Sequence, residues 1–109
     1  MATSPTQRSL KRLRDMGYEA DVVERWLPGV GIRKDLFGFG DIFAIGPRVD
    51  GERERLIVQT TSYSNASARV SKIKDSPLID AVREAGIRVE VHGWRKVSGR
   101  WQPRVIDLS

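Results

Sequence analysis

The 109-residue chain has no cysteine and a single histidine, His92. The first absence excludes disulfides and thiolate zinc sites and leaves the redox compartment undetermined. The second excludes a histidine-rich metal centre. Any metal ion must therefore be held by oxygen ligands, which suits Mg²⁺ or Mn²⁺. Long apolar runs are missing too: no stretch approaches the roughly 20 residues of a membrane span. The Met1-Ala2-Thr3-Ser4-Pro5 terminus lacks the apolar core of a signal peptide. An intracellular, cytoplasmic protein with no membrane partner is expected. No linker, internal repeat or low-complexity segment interrupts the chain, so residues 1–109 read as one domain.

Positive charge is what the chain has in excess. Nineteen Lys and Arg against fourteen Asp and Glu give a net charge of +5 and a pI near 10.1, which favours a polyanionic partner. Part of this charge sits on a predicted first helix, residues 5–16, with Ser4 as N-cap, Pro5 at its first position and Gly17 as its stop. Leu10, Leu13 and Met16 form its apolar stripe, while Arg8, Lys11 and Arg12 are neighbours on the outer face. That face is either a solvated helix surface or a phosphate-contacting ridge.

Residues 18–27 alternate as a strand. Glu24 falls on the face of Ala20 and Val22, where an ionised side chain is unexpected, so it is either a site residue or a solvated strand-end acid. After the Pro28-Gly29-Val30-Gly31 loop come Arg33 and Lys34, placed to meet a phosphate, and Asp35, their salt-bridge partner or a second acid. Gly38-Phe39-Gly40 is not a dinucleotide-binding loop, because no helix follows and the third glycine is missing; no small-molecule cofactor is expected. Further on, helices are predicted at about 66–74, with Arg69 and Lys72 one turn apart, and from Ser76-Pro77 to Gly86. A strand at 87–97 and an edge strand at 100–106 meet at a Ser98-Gly99 turn. His92 lies on the polar side of its strand and reads as a surface residue. Trp94 and Trp101 either stack on bases or pack on each other and over a core edge.

The centre of the chain is Phe39-Gly40-Asp41-Ile42-Phe43-Ala44-Ile45, followed by Leu56-Ile57-Val58-Gln59-Thr60-Thr61. Asp41 opens a run that otherwise reads as a buried strand, and a buried carboxylate is costly unless a charge, such as a metal ion, pairs with it. Register decides whether a site can form. With Asp50-Gly51 as a plain two-residue turn, Asp41 would fall opposite Thr60, and Gln59 and Thr61 would point to the other face. A bulge or irregular loop between residues 46 and 54, favoured by Gly46-Pro47, would instead bring Asp41 to Gln59 or Thr61.

An acid on one central strand and a polar-x-polar tripeptide on the next resemble the PD-(D/E)XK nuclease superfamily, and within it the small Holliday junction resolvase-like and phage-type nucleases. The resemblance covers almost the whole chain and implies a restriction-endonuclease-like α/β sandwich with a central mixed sheet flanked by helices. It implies metal-dependent hydrolysis of DNA phosphodiesters, including branched or structured DNA, by a symmetric homodimer that meets through the Trp94–Trp101 hairpin or an apolar helix face. The implied metal ligands are Asp41, Gln59, the Thr60 carbonyl and Glu24. Arg8, Lys11, Arg12, Arg33, Lys34, Arg69 and Lys72 would contact nucleic acid. Thr61 stands where the superfamily has its catalytic lysine, and Lys34 or Lys72 is expected to stand in for it. The same replacement opens an alternative, a nuclease fold retained as a nucleic-acid-binding module; a third reading is a small interaction protein solubilised by its charge.

Overall fold

The structure, a computed structural model, describes residues 3–109. Met1 and Ala2, part of the terminus read for a leader, lie outside the described residues. Helix α1 (Pro5–Asp15) begins as its capping signature predicts: the Ser4 hydroxyl accepts the Gln7 N–H at 3.2 Å. It stops where Gly17 takes a left-handed φ of +93°. Leu10 and Leu13 are buried, whereas Met16 caps the helix and is exposed.

The predicted strand over 18–27 is in fact two strands. β1 (Glu19–Val22) ends where the N–H groups of Val23 and Glu24 both donate to one acceptor, the Asp41 carbonyl, at 2.9 and 3.4 Å. This shared acceptor ends the ladder and turns the chain away. β2 (Arg25–Leu27) then pairs with β3 (Ile32–Lys34) in a separate two-stranded ribbon. β4 is shorter than predicted, Ile42–Ile45, because Phe39 and Gly40 close a tight turn onto Leu36. β5 (Arg55–Ser62) leads through a 3₁₀ turn (Tyr63–Asn65) into α2 (Ala66–Lys74). α3 (Ile79–Glu84) starts two residues after Ser76-Pro77, later than predicted, and leaves Leu78 exposed ahead of it. β6 (Ile87–Val97) and β7 (Arg100–Asp107) complete the chain.

β1, β4, β5, β6 and β7 lie side by side in that order. Neighbours are antiparallel except β5 and β6, which run parallel and are joined by the α2–α3 crossover. The result is an α/β fold around a mixed five-stranded sheet. Side-chain alternation sends Leu56 and Val58 of β5 against Leu10 and Leu13 of α1, and Ile57 against Ile73, Ile79 and Val82 of α2 and α3. Buried on both faces, β5 is the central strand.

The hairpin between β4 and β5 carries the predicted irregularity. Val49 faces Glu52 across the Asp50-Gly51 tip, both of whose residues have positive φ. A plain hairpin would continue to Ile45 opposite Leu56; Ile45 faces Arg55 instead. The extra residue lies on the side of Gly46-Pro47-Arg48.

His92 is not on the surface. It is fully buried, with Nδ1 2.9 Å from Ser9 Oγ and Nε2 3.0 Å from Glu90 Oε1. The face of β6 that alternation marked as polar is covered by α1, whose buried Ser9 supplies the partner and also accepts the Trp94 indole N–H at 2.8 Å. Trp94 therefore closes the core edge, while Trp101 remains exposed. Among the described residues no helix is long and apolar enough to cross a membrane.

Candidate metal centre

β5 runs past the start of β4, leaving Gln59 to Ser62 with no β4 residue beside them. Asp41 fills the gap. Its N–H donates to the Val58 carbonyl at 2.9 Å, and its Oδ2 accepts from Gln59 Nε2 at 3.2 Å, the Thr60 N–H at 2.7 Å and the Thr60 hydroxyl at 3.1 Å. Three donors on one oxygen compensate for burying a carboxylate that is only 4% exposed. The Thr60 hydroxyl also lies 2.7 Å from that of Thr6, tying the start of α1 to the same point.

Two more acids converge here. Glu24 comes from the break between β1 and β2, and Asp35 from the residue after β3. One carboxylate oxygen from each of Glu24, Asp35 and Asp41 lies within 4.8 Å of the other two. Burial, then hydrogen bonding to and repulsion by Asp41, push the Glu24 carboxyl up to about 7. Asp35 is raised by the same causes, against the opposing pull of Lys72 and Arg33. Like charges this close cannot all ionise at neutral pH without a neighbouring cation.

Gln59 supplies an independent sign. Its Nε2 is used on Asp41, and its Oε1, on a side chain 2% exposed, has no hydrogen-bond partner. It is the one such buried side-chain atom among the described residues. A buried carbonyl oxygen left without a donor costs about 1–3 kcal/mol, so this one is free to ligate a cation or to accept from a water in the cleft. The Thr60 carbonyl adds a further oxygen: Val58 presents its carbonyl to Asp41, and strand alternation turns that of Thr60 to the same edge. Carboxylates, an amide oxygen and a backbone carbonyl form an all-oxygen set that fits a hard divalent cation.

The acids and Gln59 line an open cleft of about 510 Å³, together with Thr61, Arg33, Arg69 and the first turn of α1. Arg33 Nη1 is 3.6 Å from Glu24 Oε2. The α1 N-terminus adds a partial positive charge at the rim, favourable to an anion.

Of the residues singled out in the sequence, the fold thus unites Asp41, Gln59, Thr60, Thr61, Glu24, Arg33 and Arg69. Lys34 does not join them: β-alternation turns it away from Arg33, and it lines a neighbouring cleft with Val23, Arg25 and Leu36. Lys72 acts on the site through its field at Asp35. Arg8, Lys11 and Arg12 line a different groove along α1. Asp35 is the site acid that the sequence left between two roles; its position just after two cations was equally the signature of a salt bridge.

Neither a family model nor a curated protein nor a solved structure matches the chain.

Proposed function

We propose that the chain is a divalent-metal-dependent DNA endonuclease, built on the restriction-endonuclease-like plan of the PD-(D/E)XK superfamily. The observation that carries this reading is the convergence of Glu24, Asp35 and Asp41 beside the orphaned Gln59 Oε1, in a cleft rimmed by arginines. The order of elements supports the plan: an N-terminal helix, an antiparallel start to the sheet, then a parallel crossover through helices.

Asp41, Glu24, Asp35, Gln59 Oε1 and the Thr60 carbonyl would hold Mg²⁺ or Mn²⁺. Bound there, the ion would polarise the phosphodiester and lower the pKa of a coordinated water. The chain's own residues do the rest. Asp41 is fixed in place by its three donors, so its oxygens need no reorganisation. Arg33 and Arg69 flank the acids, where they can hold the phosphate and offset charge that develops on it. The Thr61 hydroxyl faces the cleft and can orient a water by hydrogen bonding, without the positive charge of a lysine.

That missing charge favours a second reading, a nucleic-acid-binding module in which hydrolysis has been lost. Cleavage of duplex, single-stranded and four-way-junction DNA with Mg²⁺ or Mn²⁺ separates the two. Metal-dependent cutting by the wild type that disappears in Asp41→Asn, with the fold intact, is expected. Salt-sensitive binding by both proteins without cutting would overturn the nuclease reading in favour of the module. A homodimer accompanies the proposal, because one site cuts one strand; a chain that stays monomeric at micromolar concentration in size-exclusion mass measurement contradicts that part.

A further inference from the structure

β5 ends at Ser62, opposite Trp94, but β6 and β7 continue past it as a two-stranded arm to the Ser98-Gly99 turn. From Val91 to Ile106 the arm and its base carry Arg95, Lys96, Arg100 and Arg104 and no Asp or Glu. Each face presents an aromatic ring already engaged by an arginine. On the α1 side, the Arg8 guanidinium lies 3.6 Å from the centroid of Trp101. On the α2 side, Arg95 lies 4.2 Å and Arg104 5.6 Å from the Tyr63 ring.

The α1 side is also concave. Trp101 and Pro103 of β7, Trp94 of β6, and Arg8, Arg12 and Asp15 of α1 line an open groove of about 690 Å³. Trp101 is 45% exposed there. The groove includes Thr3 and Gln7 of the α1 start, whose neighbours Ser4, Pro5 and Thr6 line the acidic cleft. The two clefts therefore lie on either side of the first turn of α1.

We infer that this groove binds an unpaired segment of nucleic acid, with one base stacked on the Arg8–Trp101 pair and the backbone neutralised by α1 and the arm. The chemistry fits single strands in particular. An exposed ring and a planar guanidinium offer stacking surface to any base, which a paired base inside a duplex cannot use, and the surrounding charge is mainly positive, the one acid of the groove, Asp15, being paired with Lys11 at 2.6 Å. The inference rests on the nucleic-acid-directed reading of the acidic cleft and deepens it to a substrate with a single-stranded portion beside the cut.

Binding is measured in EDTA, where hydrolysis cannot contribute, by fluorescence anisotropy of labelled oligodeoxythymidylate and of a duplex of equal length. Wild type, Trp101→Ala and Trp101→Phe are compared at two salt concentrations, with far-UV circular dichroism as the fold control. The wild type should prefer the single strand. Trp101→Ala should weaken single-strand binding about tenfold, within the range for loss of one stacked base, while leaving the weak duplex binding nearly unchanged. Trp101→Phe should recover most of the loss. Equal binding of both DNAs, indifference to Trp101→Ala, or a groove that dimerises the chain and binds no oligonucleotide would each overturn the inference. Trp101-dependent binding without cleavage by any protein would sink the nuclease reading alone, whereas cleavage with Trp101-independent binding would sink this inference alone.

Discussion

Replacing Glu24 by Gln probes the electrostatics on which the metal centre stands. In the metal-free protein the Glu24 carboxyl is pushed up to about 7 from an ordinary 4.5, by burial first and by Asp41 second. One pKa unit is about 1.36 kcal/mol, so this shift corresponds to at most about 3.4 kcal/mol. The cleft is open to water and its nearest cation, Arg33, is mostly exposed, so screening lowers the effect to about 1–2 kcal/mol. The attraction of Arg33 for the ionised form is already contained in the shift and is not counted again.

The sign follows from the direction. A carboxyl whose folded pKa is raised favours the folded state while it is protonated. Its contribution is complete below about pH 4.5, shrinks as the pH rises and is lost through pH 7. In EDTA, urea unfolding at pH 5, 6, 7 and 8 should show wild type losing about 1–2 kcal/mol relative to Glu24→Gln across that window. Mg²⁺ or Mn²⁺ at pH 8 should restore stability to the wild type, by about 1.4 kcal/mol at ten times its dissociation constant, and restore less to the variant. Parallel stability curves for the two proteins from pH 5 to 8 would refute the reasoning, since they would mean that Glu24 is not crowded by Asp41 and that the carboxylates do not share a site.

Two further predictions concern the neighbouring backbone and the missing cation. Gly40→Ala would place a Cβ 2.7 Å from Ile57 Cγ2 and 3.2 Å from the Leu36 carbonyl oxygen; it should cost about 1–3 kcal/mol in urea unfolding and, by displacing Asp41, abolish metal-induced stabilisation. Thr61→Lys should raise metal-dependent cleavage about tenfold or more, toward the 10²–10⁴-fold that a positioned proton-transfer group contributes; an equal or lower rate in a folded variant contradicts the reading of Thr61 as the absent cation.

What could be read in the sequence was whatever is encoded over a few neighbouring residues. The capping pattern of Ser4-Pro5, the bounds of α2 and the β6–β7 turn at Ser98-Gly99 stand as the residue types predict, because each is decided by local backbone chemistry. The offset of the β4–β5 hairpin was legible too, since Asp50-Gly51 fixes its tip and Pro47 has no N–H with which to continue a regular ladder. His92 was misread because alternation along β6 distinguishes two faces without saying what covers them, and Ser9, a small polar residue on an apolar helix stripe, gave no sign of being its partner.

The site itself depends on one hydrogen-bonding choice that no side-chain pattern expresses. The Asp41 carbonyl accepts from both Val23 and Glu24, which ends β1 and releases Arg25–Leu27 to pair with β3. This peeling of the chain puts the Glu24 side chain in the cleft, and the return through β3 delivers Arg33 and Asp35 beside it. A continuous strand to Leu27 would have left Glu24 an edge acid and carried Asp35 elsewhere. Asp41 therefore acts at both ends: its carboxylate gathers Gln59 and Thr60 from β5, and its carbonyl brings in the other two acids.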